Sequence, residues 1–167
     1  MDISKITNTE ANKFATSFFQ DRAINREYYK RVPEGKFDFR MVDTPEKKSD
    51  SPRDSLGHQI GVQHDYMNGV TSGTLSFESG DDKQLKKLSK YELLKRLQEA
   101  DEKLIEILSD PDIGIKKVKV PWSDTPIPAI ASLWAMDSHE ILHTGWNLAV
   151  MDHLNMERFD SLKRIWG

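Results

Sequence analysis

The sequence predicts an all-α protein: a four-helix bundle with a short C-terminal helix and long connecting loops. Three observations carry that prediction. Apolar residues recur at three-to-four spacing through long segments. Proline falls at or outside the ends of those segments, as a bundle requires. Helix-capping signatures stand where several segments open. A single domain over 1–167 is expected, because a second independent core would be cramped in 167 residues.

The first segment runs from Thr9 to Arg31, with Ala11, Phe14, Ala15, Phe18 and Phe19 on one face, and Pro33-Glu34-Gly35 ends it. A linker follows from Lys36 to about Asp50. Its alternation Phe37-Asp38-Phe39-Arg40-Met41 reads as an extended loop that tucks two Phe side chains against the bundle. The second segment opens at Ser51-Pro52, a good cap followed by proline at the first helical position, and continues to about Val70. Residues Thr71 to Lys83 are rich in Ser, Gly and Asp and read as a loop. The third segment opens with a capping box, Ser89-Lys90-Tyr91-Glu92, and an apolar stripe runs from Leu93 to Leu108. Pro111 marks its end. The Lys/Val alternation before Pro121 reads as a short extended piece at most. Thr125-Pro126 repeats the cap-plus-proline device, and a long fourth helix is expected from Pro126 to His153 or Leu154, with Pro128 in its first turn. A short helix over Arg158 to Trp166 closes the chain. Gly57, Gly61 and Gly145 fall inside these helices, where each either marks a close approach to the backbone or is simply tolerated.

Composition narrows the function. Lys plus Arg is 24 and Asp plus Glu is 27, a formal net charge of −3, which argues against a dedicated nucleic-acid binder. Cysteine is absent, so disulfides, Cys-ligated zinc, iron–sulfur clusters and a thiol nucleophile are excluded. Any metal must be held by His, Asp or Glu. The N-terminal Met1-Asp2-Ile3-Ser4-Lys5-Ile6 lacks the apolar core of a signal peptide, and no apolar run is long enough to span a bilayer. A cytoplasmic protein without membrane attachment is expected.

Five histidines remain to be placed: His58, His64, His139, His143 and His153. His139 and His143 are four residues apart on the fourth helix, so their rings lie on one face, one turn apart. Imidazoles at that spacing can reach one metal ion. The same side carries Ser132, Ala135, Met136, Leu142, Trp146 and Val150, and is expected to face the core. Two basic rings on an apolar face need partners, either buried hydrogen-bonding groups or a metal. His58, near the start of the second helix, can complete a three-His site if that helix faces the fourth. The helical wheel leaves its direction open, since Val62, Asp65 and Gly69 share its side while Leu56, Ile60 and Met67 lie opposite. His64 projects about a third of a turn away from His58. His153 lies ~15 Å past His143 and reads as a helix-end cation near the C-terminal dipole.

Two runs stand out: Ser51-Pro52-Arg53-Asp54-Ser55-Leu56-Gly57-His58-Gln59-Ile60, and Ser138-His139-Glu140-Ile141-Leu142-His143-Thr144-Gly145-Trp146-Asn147-Leu148. With the capped third helix and the Val120-Pro121-Trp122 loop, their order resembles the DinB (damage-inducible, YfiT-like) superfamily of four-helix bundles, over most of the chain. The resemblance implies a divalent metal ion, usually zinc or nickel, held by His58, His139 and His143, with water or substrate in the remaining positions. It also implies thiol-transfer activity for some relatives, and it makes a homodimer an expectation. The Phe37 to Val42 segment and the Trp166 end are the candidate contact surfaces. One departure is visible. Many members carry an HRGQ-like run at the second histidine, where this chain has His143-Thr144-Gly145-Trp146. The substrate class therefore does not carry over.

Three neutral imidazoles leave a divalent ion with open positions, the pattern of a catalytic site. Such an ion activates water or a low-molecular-weight thiol, so a hydrolase or a thiol S-transferase acting on a small molecule is expected. The alternative is a non-catalytic metal- or small-molecule-binding stress-response bundle. Among helper groups, Glu140 is turned ~100° from His139 and reads as solvated or as a support for a ligand. Asp65 can orient a ligand His or act as a base, or be a partly exposed helix Asp. Trp146, Met136 and Tyr66 either line a mostly apolar pocket or belong to ordinary core.

Overall fold

The computed structural model describes residues 2–77 and 82–166, the side chains of Asp82 and Trp166 excepted. Its elements, in chain order, are α1 (Thr9–Arg31), α2 (Pro52–Ser72), α3 (Asp82–Leu85), α4 (Lys90–Leu108), β1 (Lys117–Val118), β2 (Ile127–Pro128), α5 (Ala129–His153) and α6 (Asp160–Trp166). Among the described residues the fold is all-α apart from these two-residue strands and two isolated bridges, Asp43 with Lys48 and Thr74 with Lys119.

Helix α1 packs on α5 and α4, and α2 packs on α4 and α5, so the four long helices form a closed circuit. Two apolar clusters fill it. One gathers Phe14, Phe18, Met67, Val70, Leu104, Leu108, Leu133 and Met136. The other gathers Tyr28, Tyr29, Leu56, Ile60, Leu93, Leu97, Val150 and Met151. The first cluster draws on the early part of α1 and α5 and the late part of α2 and α4. Hence α1 and α5 run one way and α2 and α4 the other. Adjacent parallel helices cannot be joined by a short turn, since the chain must first return along the bundle. That is the physical reason for the long connection between α2 and α4.

At α2 and α4 the capping chemistry sits where the sequence places it, and at α1 the structure adds a cap that the sequence reading did not mark. Asn8 accepts from the Glu10 and Ala11 amides at 3.1 and 3.0 Å to open α1. Ser51 and Asp54 form a reciprocal box at α2, and Ser89 and Glu92 form one at α4. Phe37 is fully buried and Phe39 packs against the same cluster, as the tucked loop requires. Burial of Phe37 also removes it from any outward contact surface, leaving Val42 as the exposed apolar end of that segment.

Four boundaries differ from the sequence reading. Helix α2 runs on through Ser72 and stops at Gly73, whose φ of 82° is the left-handed cap that glycine adopts freely. Part of the predicted loop after it is helical, as α3, while residues 78–81 lie outside the described residues. The third difference is the start of α5. Thr125 does not cap it. Lys117 pairs with Pro128 and Val118 with Ile127, and the Ala129 amide donates to the Lys116 carbonyl at 2.9 Å. Pairing with the preceding loop holds residues 127–128 extended, so the helix begins three residues later than the Thr-Pro signal suggests. The final helix likewise starts at Asp160 rather than Arg158.

The interior glycines divide. A Cβ on Gly57 would make ordinary contact with Lys86 and Leu85, at 3.4 and 3.5 Å. A Cβ on Gly145 would meet nothing within 4 Å among the described residues.

Candidate metal centre

The structure brings His58, His139 and His143 together. Helix α2 presents His58 and α5 presents the other two, each ring partly buried, at the seam where these helices pack. The Nε2 atoms of His58 and His139 are 3.2 Å apart, and those of His139 and His143 are 3.3 Å apart. One ligand atom from each ring lies within 4.8 Å of the others. Ring centroids are separated by 4.5 to 5.6 Å.

These spacings match a shared ion. At a metal–nitrogen distance of about 2.0–2.1 Å, ligand nitrogens sit about 3.0 Å apart at a right angle and about 3.4 Å apart at a tetrahedral angle. Charge points the same way. Burial first, then His139, His58 and Arg22, hold the His143 imidazole down at about 3, so that ring is neutral across the physiological range. Neutral imidazole is the ligating form.

The second nitrogen of His143 is also placed. Its Nδ1 lies 2.8 Å from Ser55 Oγ, which lies 2.9 Å from the Tyr29 hydroxyl. Gln59 Nε2 donates to that same hydroxyl at 2.6 Å. Ser55, Tyr29 and Gln59 are all buried. Burial pushes the Tyr29 phenol well above its usual range, so it stays protonated. For His143 to offer its Nε2 lone pair, Nδ1 must carry the proton, and Ser55 Oγ is positioned to accept it. The residue-pattern reading missed this chain of groups. Ser55 is three residues before His58, a visible spacing, but Tyr29 comes from α1 and nothing local marks it.

The face of α5 toward the core is rotated from the one the wheel selected: Ser132, Met136 and Val150 of that set are buried, but the face extends past them, away from Leu142. Its centre is polar: Asp137, Glu140, Thr144 and Asn147 are buried, while Leu142 is 72% exposed. His139 and His143 stand at the edge of this face, turned toward α2. Glu140, read as solvated or as a support for a ligand His, is buried and ion-paired instead. Its Oε2 is 3.2 Å from Arg22 Nη2, and its Oε1 accepts from Asn25 Nδ2 at 2.7 Å. Burial pushes its carboxyl upward, with Arg22 and Asn25 pulling against that shift. Arg22 Nη2 also donates to Gln63 Oε1 at 2.9 Å, and Gln63 Nε2 donates to Asp101 Oδ1 at 3.2 Å. Arg26 pairs with Asp101, and Thr144 and Asn147 donate to Asn25 Oδ1 at 3.1 and 2.7 Å. A polar layer drawn from all four long helices thus separates the two apolar clusters. The mostly apolar cavity expected from sequence is replaced, on the core side of the imidazoles, by this layer.

The remaining predicted groups separate as follows. Asp65 is buried rather than partly exposed. Met136 belongs to the first apolar cluster and Trp146 packs partly buried against the second. Tyr66 is buried and meets the Phe77 ring edge-on, 5.7 Å between centroids. His64 faces a groove with Met67, Asn68 and Arg96, away from the cluster. His153 is exposed in the last turn of α5, its Nδ1 2.9 Å from the Ala149 carbonyl oxygen.

Neither a family model nor a curated protein matches the sequence. Among solved structures, the chain is similar to the crystal structure of a DinB-like protein, YjoA, from Bacillus subtilis. The TM-score is 0.67 and the identity 17%, over 89% of this chain and 96% of the other. At that identity the likeness establishes the fold, and the chain has the DinB-like fold.

Proposed function

We propose that the chain binds one divalent metal ion through His58, His139 and His143 and is a metal-dependent enzyme acting on a small molecule. The convergence of three imidazoles from two helices, with Nε2 atoms 3.2 and 3.3 Å apart, carries this reading. Held by these three residues, a divalent ion would supply Lewis-acid chemistry, lowering the pKa of water or of a low-molecular-weight thiol for hydrolysis or thiol transfer near neutral pH. Zinc and nickel suit imidazole donors. The chain's own contribution is to keep the His143 ring neutral, chiefly by burying it, and to aim it through Ser55 and Tyr29. The polar layer beneath holds Glu140 paired to Arg22, so this carboxylate is committed to structure.

The test is elemental analysis of protein purified without a polyhistidine tag. Wild type is expected to hold one ion per chain, and His139→Ala and His143→Ala to lose at least tenfold in loading. Unchanged metal in the double variant would refute the site. A metal-loaded crystal structure then decides the class. Solvent in the unfilled positions supports an enzyme, whereas a fourth protein ligand assigns the bundle to non-catalytic binding.

A further inference from the structure

Helices α2 and α4 run side by side in the same direction, and a groove of about 410 Å³ lies between them. That volume is in the range of small-molecule sites. On α4 it is lined by Arg96, Ala100, Lys103 and Ile107, at four-three-four spacing, so one stripe of that helix faces it over ~16 Å. Met67 of α2 closes the floor with Ala100 and Ile107, and all three are buried.

The rim is polar, and its charge is one-sided. Arg96 and Lys103 stand one turn either side of Ala100, with side chains 59% and 60% exposed, so both can reach the space above it. One carboxylate shares the rim, Glu99, whose Oε2 accepts from Arg96 Nη1 at 3.1 Å. Its other oxygen is 3.8 Å from Lys95 Nζ, so Glu99 is divided between two cations. Lys103 donates to Glu106 at 2.8 Å, along its own helix. A basic rim at a helix seam is ordinarily answered by acids on the facing helix. Here the α2 wall offers His64, Asn68 and Thr71, and no carboxylate.

We propose that this groove binds a small organic anion with an apolar body, of the medium-chain carboxylate class. The carboxylate lies above Ala100 between Arg96 and Lys103, and the hydrocarbon lies along Met67 and Ile107.

Charge complementarity selects this occupant. Two cations against one divided carboxylate favour an anion, in a chain whose formal net charge is −3. A nucleic acid needs a longer row of cations to meet successive phosphates. A neutral apolar molecule would use the floor and leave the rim unmatched. His64 projects about a third of a turn from His58, so the groove lies on another side of α2 from the three imidazoles. The inference does not rest on the metal reading.

Isothermal titration of octanoate into the untagged full chain tests it, with octan-1-ol as the neutral probe of equal length. One octanoate per chain is expected, with a Kd of roughly 1 mM or tighter. The alcohol should bind about tenfold more weakly, the loss of two exposed charge contacts. The double variant Arg96→Gln, Lys103→Gln should weaken octanoate by about the same factor, with an unchanged circular dichroism spectrum. Lys95→Gln removes one charge from the same helix outside the groove and should stay within about twofold of wild type. Absence of binding overturns the inference. So does equal binding of the alcohol, which would make the groove a plain apolar contact surface. An unchanged affinity in the double variant, or an equal loss in Lys95→Gln, does the same. Octanoate binding that survives in the groove variant but is lost in His139→Ala, His143→Ala would put the carboxylate on an ion at the imidazoles. That result overturns the groove while supporting the metal site, so the two readings fail separately.

Discussion

Ser55 shows how much a single hydroxyl settles at the candidate centre. It links the Nδ1 of His143 to the buried Tyr29 hydroxyl at 2.8 and 2.9 Å. Removing a group that orients a ligand imidazole typically costs 10–100-fold in metal affinity. Ser55→Ala is therefore expected to weaken metal binding by that factor without loss of fold, as read by competition with a chromophoric chelator. An unchanged affinity would show that the ring is held by packing alone. The histidine pair was legible because a four-residue spacing has one geometric meaning on a helix. Tyr29 and Gln59 were not, because their part arises from packing between α1 and α2. Glu140 was misread for a related reason: the wheel placed it off the imidazole side, but only the position of Arg22 on α1 shows that this side is core.

At the scale of an element, termini were read well where a side chain makes the cap and badly where a remote strand does. Ser51 and Ser89 each satisfy an amide three residues on, a local rule with a local signature. The start of α5 instead depends on Lys116 and Lys117, ten or more residues earlier, so the Thr125-Pro126 signal was outweighed. The end of α2 yields a direct check. Gly73 holds a φ of 82° while its amide donates to the Gly69 carbonyl at 2.9 Å. Gly73→Ala should cost about 1 kcal/mol in chemical denaturation, since a Cβ is strained in that conformation. Gly69→Ala should also destabilise, because its Cβ would lie 3.1 Å from Leu75. A neutral result at both positions would mean that the turn after α2 relaxes freely.

Over the whole molecule, the bundle and its helix order were written in periodicity and punctuation, but its interior was not. Arg22 is 1% exposed and joins Gln63, Glu140 and Asp101, so one cation holds three other helices. Removing one partner of such a set leaves uncompensated buried charge and costs about 3–5 kcal/mol. Arg22→Ala is expected to lose that much stability in urea, a large share of what a domain this size possesses. A loss under 1 kcal/mol would show that water takes the cation's place. The small clasp between residues 117–118 and 127–128 has a wider consequence. Because it pins the first turn of α5 directly, residues 121–126, beyond the paired Lys119 and the buried Val120, do not determine how that helix is rotated. Natural or engineered variants can lengthen or shorten that connection and still deliver both imidazoles to the same point. One residue gained or lost between Ala129 and Ser138 would swing them by ~100°.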